Sequence, residues 1–289
     1  MSLVITSVEL GLLYGLVALG VYITFTLLRF PDLTVDMSLV TGAAVGAIAV
    51  RAGVPGLLAL GLSMTGGLVA GSLTAFLHTH LKVGKILSGI LALGLLYSLN
   101  LRIMGSANLS LLHAEHVISW LKSPLRDGLV LLLFFIILLG VKLLIDWFLK
   151  TRFGLALRAT GENEATAKAL GINTKSTKFV GVALSNGIVG LAGGLLAQFQ
   201  GFIDIQTGAG TIILGLAAIL LGFALVQPKS IFVMTSVVVA GSIVYQFIVN
   251  IALRLGLAGT DLKFFSAMIV VIALVLSRKK SILQWQKSF

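Results

Sequence analysis

The amino-acid sequence predicts an all-α protein that crosses a membrane several times, and three observations carry this prediction. Hydrophobic residues make up 58% of the 289 residues and charged residues only 11%, well below the charge content of an ordinary soluble domain. The apolar residues are gathered in runs of helical length, and a helix needs roughly 20 of them to cross a hydrocarbon core. A repeat relates the two halves of the chain. We therefore expect about nine transmembrane helices, between eight and ten, arranged as an inverted repeat.

Nine apolar runs account for the predicted helices. The second run is short, and the first is interpreted as a retained span, because no basic segment precedes it and no small-residue cleavage site follows it. The runs cover residues 10–28, 37–50, 57–77, 86–104, 129–148, 179–199, 208–226, 231–251 and 264–276.

The distribution of basic residues predicts the orientation. Cytoplasmic loops of membrane proteins collect Lys and Arg. Placing the basic loop 151–177 and the tail at residues 278–280 inside puts the amino terminus outside and the carboxyl terminus in the cytoplasm. The split is then 14 cytoplasmic to 6 external basic residues, with Lys142 inside a span. A net charge of +11 is therefore explained by topology, and we expect no nucleic-acid partner.

We expect one transmembrane domain over residues 1–289, with repeat halves at about 1–127 and 128–289 and a polar cytoplasmic loop at about 150–178. The chain has no cysteine, which excludes disulfides and thiolate chemistry. The histidines His78, His80, His113 and His116 lack metal-ligand spacing and are predicted to be solvated interfacial groups. Lys142 and Asp146 are four residues apart in a span and could pair with each other.

The internal repeat appears when the chain is shifted by 172 residues. Gly15 then pairs with Gly187, and an FxD motif closes each segment, at Asp32 and at Asp204. The two segments lie in the first and the sixth predicted spans, an offset of five spans, so the repeats enter the membrane from opposite sides. Inverted repeats with a pathway between the halves are typical of transporters.

Both repeats end in a polar, helix-breaking patch that leads into a helix of small residues. Such breaks are expected where backbone lines a cavity. An alternative is that Asp32 and Asp204 only cap helices at the membrane interface, and one residue could do both. The candidate pathway-lining residues are Phe30, Asp32, Asp36, Phe202 and Asp204. Closely spaced glycines, such as Gly42 with Gly46 and Gly67 with Gly71, are expected to let helices pack closely.

The loop at 151–177 contains good helix formers over residues 162–170. Thr160 and Asn163 are possible amino-terminal caps, and Gly171 is the expected stop. We expect one face to bury and the other to meet water or a partner. The weak apolar face favours docking into a protein groove over lying on the lipid surface. The residues expected to bury are Ala159, Ala165, Ala169 and Ile172, and those expected to face outward are Glu162, Glu164 and Lys168.

One element of this loop is specific enough to resemble a known family. The run RATGENEATAKALGI, together with the span that follows it, resembles bacterial ABC importer permeases of the branched-chain amino acid and ribose permease superfamily. The resemblance extends over most of the chain and includes FPDLTVDMSLVTGAAVGA, GAGTIILGLAAILLG and DLKFFSA. Within the superfamily the chain looks closest to permeases for hydrophobic or aromatic amino acids.

This resemblance implies a translocation subunit of an ATP-driven importer in the bacterial inner membrane, without enzymatic activity of its own. The implied partners are cytoplasmic ABC ATPase subunits that hold ATP-Mg, an extracytoplasmic substrate-binding protein and a second permease subunit, with a homodimer favoured. The chain itself carries no nucleotide loop, and we expect no cofactor or metal on it. The coupling segment implied for contact with the ATPase consists of Arg158, Thr160, Gly161, Glu162, Asn163, Ala165, Ala167 and Gly171.

A secondary transporter or exporter driven by an ion gradient is the alternative, because inverted repeats allow it equally. It needs titratable groups inside the membrane. Glu9, Asp32, Asp36, Asp204 and Asp261 all fall near the ends of predicted spans, which favours the ATP-driven importer. A structural subunit without transport activity would leave the polar loop unexplained.

Overall fold

The computed structural model describes residues 3–111, 117–118, 126–226 and 230–272. Almost all of the described chain is helical. The first helix, α1, continues without a break into a π-helix, Tyr22–Leu27. The helices are α1 (Leu3–Val21), α2 (Val35–Arg51), α3 (Gly56–Thr79), α4 (Lys85–Met104), α5 (Arg126–Lys150), α6 (Arg152–Glu162), α7 (Glu164–Ala169), α8 (Thr174–Gln200), α9 (Thr211–Leu225), α10 (Ile231–Arg254) and α11 (Leu262–Ile272).

Seven segments of the described chain are long and apolar enough to cross a membrane. They correspond to seven of the predicted runs and make the chain an all-α polytopic membrane protein. The segments are Leu3–Leu27, Gly56–Thr79, Lys85–Met104, Gly128–Lys150, Thr174–Gln200, Ile205–Leu225 and Ile231–Arg254.

The other two predicted runs are also helical, but shorter. Helix α2 has 17 residues, of which 13 are buried, so it lies inside the protein and has little surface to offer to lipid. Helix α11 has eleven described residues, Leu262–Ile272. The predicted run at 264–276 continues into residues outside the described part of the chain. The predicted total of nine spans stays a prediction.

Helices α1, α2 and α8 form the centre of the molecule, while α4 and α5 expose much of their surface. The predicted close packing of glycines is confirmed here. A Cβ atom on Gly42 of α2 would overlap the backbone of Gly190 in α8, and one on Gly67 of α3 would overlap the carbonyl oxygen of Asn186. At these glycines the backbones of α2, α3 and α8 are in direct contact, as they are at small residues in membrane helix pairs.

A short antiparallel ribbon joins the ends of α4 and α8. Strand β1 (Asn108–Ser110) pairs with β2 (Phe202–Asp204), with Leu109 opposite Ile203. A 3-10 turn, Ile205–Gly208, follows β2 and leads into α9. We call this side of the molecule the ribbon end. The opposite side, where α6 and α7 lie before α8 begins, is the loop end, and the 27 residues of α8 separate the two by about 40 Å.

Candidate functional site

The polar loop of the sequence folds into two short helices, α6 and α7, joined at Asn163. The backbone of Asn163 is extended, with φ −152° and ψ 103°, so it breaks the helix. Its side-chain oxygen then accepts the backbone N–H groups of Ala165 at 3.0 Å and Thr166 at 3.1 Å. Asn163 is therefore the amino-terminal cap of α7, which confirms one of the two predicted caps. Gly171, with φ +79°, ends the segment in the left-handed region, as predicted.

The prediction that Thr160 caps the helix is wrong. Thr160 lies inside α6, where its hydroxyl donates to the carbonyl of Ala156 at 2.8 Å. The same hydroxyl lies 3.0 Å from that of Thr177 in α8. The cap of α6 is Thr151, whose hydroxyl accepts the N–H of Gly154 at 3.2 Å. Thr160 lies nine residues later and joins α6 to α8.

Gly161 brings the α6–α7 segment into backbone contact with the first membrane helix. A Cβ atom on Gly161 would fall on the carbonyl oxygen of Leu27, the last residue of the π-helix, and would lie 2.9 Å from the Cα atom of Leu28. The side chain of Leu28 is buried between Leu157 of α6 and Gly181 of α8. The end of α1 is thus enclosed by α6 and α8.

Glu164 ties α7 to α8 through ion pairs. Its Oε2 atom lies 2.6 Å from Nζ of Lys178, and its Oε1 atom lies 2.9 Å from Nζ of Lys168. Lys178 is buried at the start of α8 and has Glu164 as its counter-ion. Its hydrogen bond lowers the pKa of Glu164 to about 2, against the opposing effect of partial burial and with a smaller contribution from Lys168.

The outward side of α7 is exposed and carries an apolar patch beside Lys168, and we call this patch the outer face. Leu170 has 74% of its surface exposed, and Ala165 and Ala169 are exposed beside it. The prediction that Ala165 and Ala169 bury is therefore wrong, and Ala167 is the buried alanine. The helical phase restarts at Asn163, which turns a different side of α7 toward α8. Ala159 and Ile172 are half-buried; Glu162 and Lys168 are exposed as predicted, and Glu164 is half-buried.

The eight predicted coupling residues fall on both sides of this segment. Thr160, Gly161 and Ala167 face the membrane domain, and Arg158 is half-buried, with its Nε atom lacking a hydrogen-bond partner among the described residues. Those that are exposed are Glu162, Asn163, Ala165 and Gly171. Their role in coupling stays a prediction.

The first predicted pathway patch lies deep in the protein. Phe30 is 1% exposed and packs edge-on against His78, with ring centroids 5.2 Å apart. The carboxylate of Asp32 is 2% exposed and accepts a hydrogen bond of 2.6 Å from the side-chain amide of Asn186. Asn186 is the thirteenth of the 27 residues of α8, so this bond lies halfway along that helix. The sequence suggested that Asp32 lies near the end of a span. The structure instead places it beside the middle of α8.

Asp36 joins two helices at their amino-terminal ends. It lies in the first turn of α2, and both of its carboxylate oxygens accept backbone N–H groups from the start of α9, those of Gly210 at 3.0 Å and Ile212 at 2.9 Å. A Cβ atom on Gly208 would overlap the carbonyl oxygen of Asp36. Helix dipoles favour a carboxylate at this position.

The second predicted patch begins at the ribbon end. Phe202 is 42% exposed, and Asp204 is half-buried. The Oδ1 atom of Asp204 accepts the N–H of Gln206 at 2.7 Å, and the Oδ1 atom of Asp32 accepts the N–H of Thr34 at 2.9 Å. Both aspartates, 172 residues apart, thus accept the N–H two residues further on. Asp204 caps the 3-10 turn, whereas the amino-terminal cap of α2 is Thr34, so the capping interpretation is confirmed for Asp204 and wrong for Asp32. Pathway lining by these five residues stays a prediction.

Sequence reasoning missed the partners that hold these residues. The sequence could have identified Asn186 as a partner, because a side-chain amide is unusual in an apolar span and usually bonds to another helix. Two other contacts could not be predicted from the sequence: that of the Leu27 backbone with Gly161, and that of 2.5 Å between the hydroxyls of Thr34 and Thr74.

The predicted pairing of Lys142 with Asp146 is confirmed. Their charged atoms are 2.8 Å apart, and both residues are buried. Thr235 of α10 donates to the other oxygen of Asp146 at 2.7 Å, and the ammonium of Lys142 lies 3.2 Å from the ring centroid of Phe232. A single charge pair in α5 thus anchors α10.

Among the histidines, His80 is exposed and His78 is half-buried, with Nδ1 2.8 Å from the carbonyl of Val83. His113 and His116 lie outside the described residues. Within the described residues, no group of three His, Asp or Glu side chains is placed to hold a metal ion.

Comparisons with known proteins agree with this architecture. Residues 3–276 match the family model described as branched-chain amino acid transport system / permease component. A tyrosine transport system permease protein of Clostridioides difficile (strain R20291) is 40% identical over 271 residues, which cover 94% of this chain and 90% of that protein. An uncharacterised protein of Rickettsia prowazekii (strain Madrid E) is 33% identical over 282 residues, covering 95% of this chain and 97% of that one.

A third relative matches over part of its length. The autoinducer 2 import system permease protein LsrC of Salmonella paratyphi B (strain ATCC BAA-1250 / SPB7) is 34% identical over 157 residues, 54% of this chain and 44% of that protein. No solved structure matches the chain. The match over nearly the whole chain shows that it belongs to the family of branched-chain amino acid transport permeases, within the ABC permease superfamily.

Proposed function

We propose that this permease is the translocation subunit of an ATP-driven importer for a small solute, an amino acid, and that it works by alternating access. The observation that carries the proposal is the two-sided α6–α7 segment. Its inner side contacts α1 and α8 directly, while its outer face presents the exposed side chains of Leu170, Ala165 and Ala169. An exposed apolar patch on a polar loop is suited to contact with another protein.

Force applied to the outer face has two routes into the membrane domain. The first runs from Gly161 to the end of α1 at Leu27. The second runs from Glu164 to Lys178 and from Thr160 to Thr177, both in α8. Since α1 and α8 are central helices, movement of the segment would shift the core of the molecule. ATP-Mg held by a separate ATPase subunit would supply the energy, and this chain would perform no hydrolysis itself.

The pathway is proposed to run beside the two interrupted segments that precede α2 and α9. The turns at Asp32 and Asp204 have the same hydrogen bond, which supports the inverted repeat. The starts of α2 and α9 meet at Asp36, as the discontinuous helices of transporters meet at a central site. We infer nine spans, with α2 as an internal helix and α11 as the last.

The substrate is proposed to be a hydrophobic or aromatic amino acid, because the relative that is 40% identical is named for tyrosine transport. An extracytoplasmic binding protein would deliver it, and a second copy of the permease would complete the pathway. The permease would lie in the bacterial inner membrane with the loop end and the carboxyl terminus in the cytoplasm, as its basic loops indicate.

Co-purification tests the proposal. The tagged permease is expressed with the ATPase subunit of the same transport system, and the ATPase is quantified after gentle solubilisation. The double variant Ala165→Arg, Leu170→Arg places two charges on the outer face and should lose the ATPase. The matched variant Ala165→Ser, Leu170→Ala adds no charge to the face and should retain the ATPase. If both variants keep the ATPase, or the wild type never binds it, this docking surface is wrong.

An ion-driven secondary transporter remains the second candidate, and one observation favours it. Asp32 is a buried carboxylate bonded halfway along α8, where a titratable group could carry a proton. This candidate predicts that Asp32→Asn abolishes uptake driven by a proton gradient. The ATP-driven importer predicts no such uptake in the wild type.

A further inference from the structure

Two basic residues at the loop end have an unusual backbone conformation. Arg29 has φ 49° and Lys82 has φ 57°, and they are the two non-glycine residues with positive φ in the described chain. Glycine and asparagine adopt this left-handed region more easily than residues with long side chains. Backbone strain of this kind is concentrated at functional positions. Each of the two turns ends a helix, with the N–H of Phe30 on the carbonyl of Thr24 and that of Val83 on the carbonyl of Leu77. The turn explains the backbone conformation, but not the choice of a cation at both positions.

The two turns lie side by side. Lys85, at the start of α4, donates a hydrogen bond of 3.2 Å from Nζ to the backbone carbonyl of Arg29. Lys82 lies three residues before Lys85 in the same connection. Arg29 and Lys82 are exposed, and Lys85 is half-buried. These three residues form what we call the basic patch.

The basic patch has no ion-pair partner in the part of the chain that the structure describes. Among the described residues, the ion pairs join Lys142 to Asp146 and Glu164 to Lys168 and Lys178, and none includes a member of the patch. The charges of the patch are thus available to a ligand.

An apolar surface begins directly beside the basic patch. Leu81 is 57% exposed, and Ile86, Leu87 and Ile90 at the start of α4 are exposed to a similar degree. Because α4 is long and apolar enough to cross a membrane, we expect this surface to face acyl chains. The cations of the patch would lie at the level of the lipid headgroups, next to the apolar side chains that face the acyl chains. This arrangement is complementary to an anionic phospholipid.

We propose that the basic patch of Arg29, Lys82 and Lys85 binds the phosphate headgroup of an anionic phospholipid, whose acyl chains lie along the start of α4. The left-handed turns hold Arg29 and Lys82 outward at the level of the headgroups. The site is separate from the outer face of α7 and does not depend on the ATP-driven function.

Native mass spectrometry of the purified permease alone tests this site. The protein is titrated with phosphatidylglycerol or with phosphatidylcholine of identical acyl chains. The variant Arg29→Asn, Lys82→Asn removes two charges but keeps residues that tolerate the left-handed conformation, so its unfolding temperature should equal or exceed that of the wild type. The control Arg152→Gln, Lys175→Gln removes two exposed charges from the loop end outside the patch.

The wild type and the control should prefer phosphatidylglycerol by roughly tenfold or more, since each basic residue near anionic lipid contributes about a factor of five. The Asn variant should lose this preference. Excess inorganic phosphate should not displace the lipid, because it lacks acyl chains. Three results would overturn the proposal: an unchanged preference in the Asn variant, an equal loss in the control, or displacement of the lipid by inorganic phosphate.

Discussion

Gly161 sets the distance between the α6–α7 segment and α1. The carbonyl oxygen of Leu27 occupies the position that a Cβ atom on residue 161 would need. The sequence identified Gly161 only through the family resemblance. Nothing in the composition or spacing of residues 151–177 predicts that a backbone carbonyl from a segment more than 130 residues earlier will lie against it.

We expect Gly161→Ala to separate docking from transmission. The added methyl group must push Leu27 or α6 aside, and overpacking of this kind costs about 1–3 kcal/mol of unfolding free energy. Because the outer face is unaltered, the ATPase subunit should still bind, while transport should fall. The measurement is ATPase co-purification together with substrate uptake. Gly140→Ala is the control, since a Cβ atom there would meet open space. Normal uptake by Gly161→Ala would show that this contact transmits nothing.

The ion pair of Glu164 gives the segment a defined pH dependence. Its pKa is lowered from 4.5 to about 2, so the carboxylate stabilises the folded segment above the unfolded pKa. This stabilisation is lost as the pH falls from about 4.5 to about 2, and it is constant at neutral pH. Because Glu164 is partly exposed, its contribution should be about 1 kcal/mol or less.

Hydrogen exchange of residues 164–170 measures this effect. In the wild type, protection should fall between pH 4.5 and pH 3, after correction for intrinsic exchange. In Glu164→Gln, protection should already be lower at pH 7 and should vary less with pH. Identical profiles for the two proteins would mean that the Lys178 pair does not hold α7.

At the scale of elements, the joint between α2 and α9 organises the two interrupted segments. Asp36 provides both acceptors for the start of α9, and it does so from another helix. The sequence predicted the helix breaks, because Pro31, Asp32 and the glycines of residues 208–210 are strong breakers. It could not predict that the two breaks would meet, since this depends on tertiary packing.

We expect Asp36→Ala to destabilise the permease more than Asp204→Ala. Loss of two charge-assisted hydrogen bonds leaves two half-buried N–H groups without their acceptors, at a cost of about 2 kcal/mol. Asp204 accepts one N–H in a half-buried turn, and its loss should cost about 1 kcal/mol. The measurements are the unfolding free energies of the two variants and the hydrogen exchange of the Gly210 and Ile212 amides. Equal stability of the two variants would show that the joint contributes no more than a surface turn.

The short elements were the least predictable. The strands Asn108–Ser110 and Phe202–Asp204 have three residues each, too few to show an alternating pattern. Asn163 was one of the two predicted caps, but the predicted buried face placed Ala159 on the same helix as Ala165 and Ala169. Because Asn163 starts a new helix, the phase of α7 was wrong. The long apolar spans were predicted well, since their length alone distinguishes them.

At the scale of the whole molecule, the ribbon end and the loop end must lie on opposite sides of the membrane if α8 crosses it. The chain has no cysteine, so single cysteines can be introduced without altering a natural one. We expect Ala107→Cys at the ribbon end to react with a membrane-impermeant maleimide from outside the cell. Lys175→Cys at the loop end should react only after the membrane is opened. Labelling of both residues from the same side would contradict the topology.

The central claim is that ATP drives transport through contact between the α6–α7 segment and an ATPase subunit. The most direct measurement is uptake of radiolabelled tyrosine into proteoliposomes that contain the permease, its ATPase subunit and its binding protein. Uptake should require ATP on the side of the loop end and should be lost in Ala165→Arg, Leu170→Arg. Uptake driven by a proton or sodium gradient without ATP, and unaffected by that variant, would contradict the claim and favour a secondary transporter.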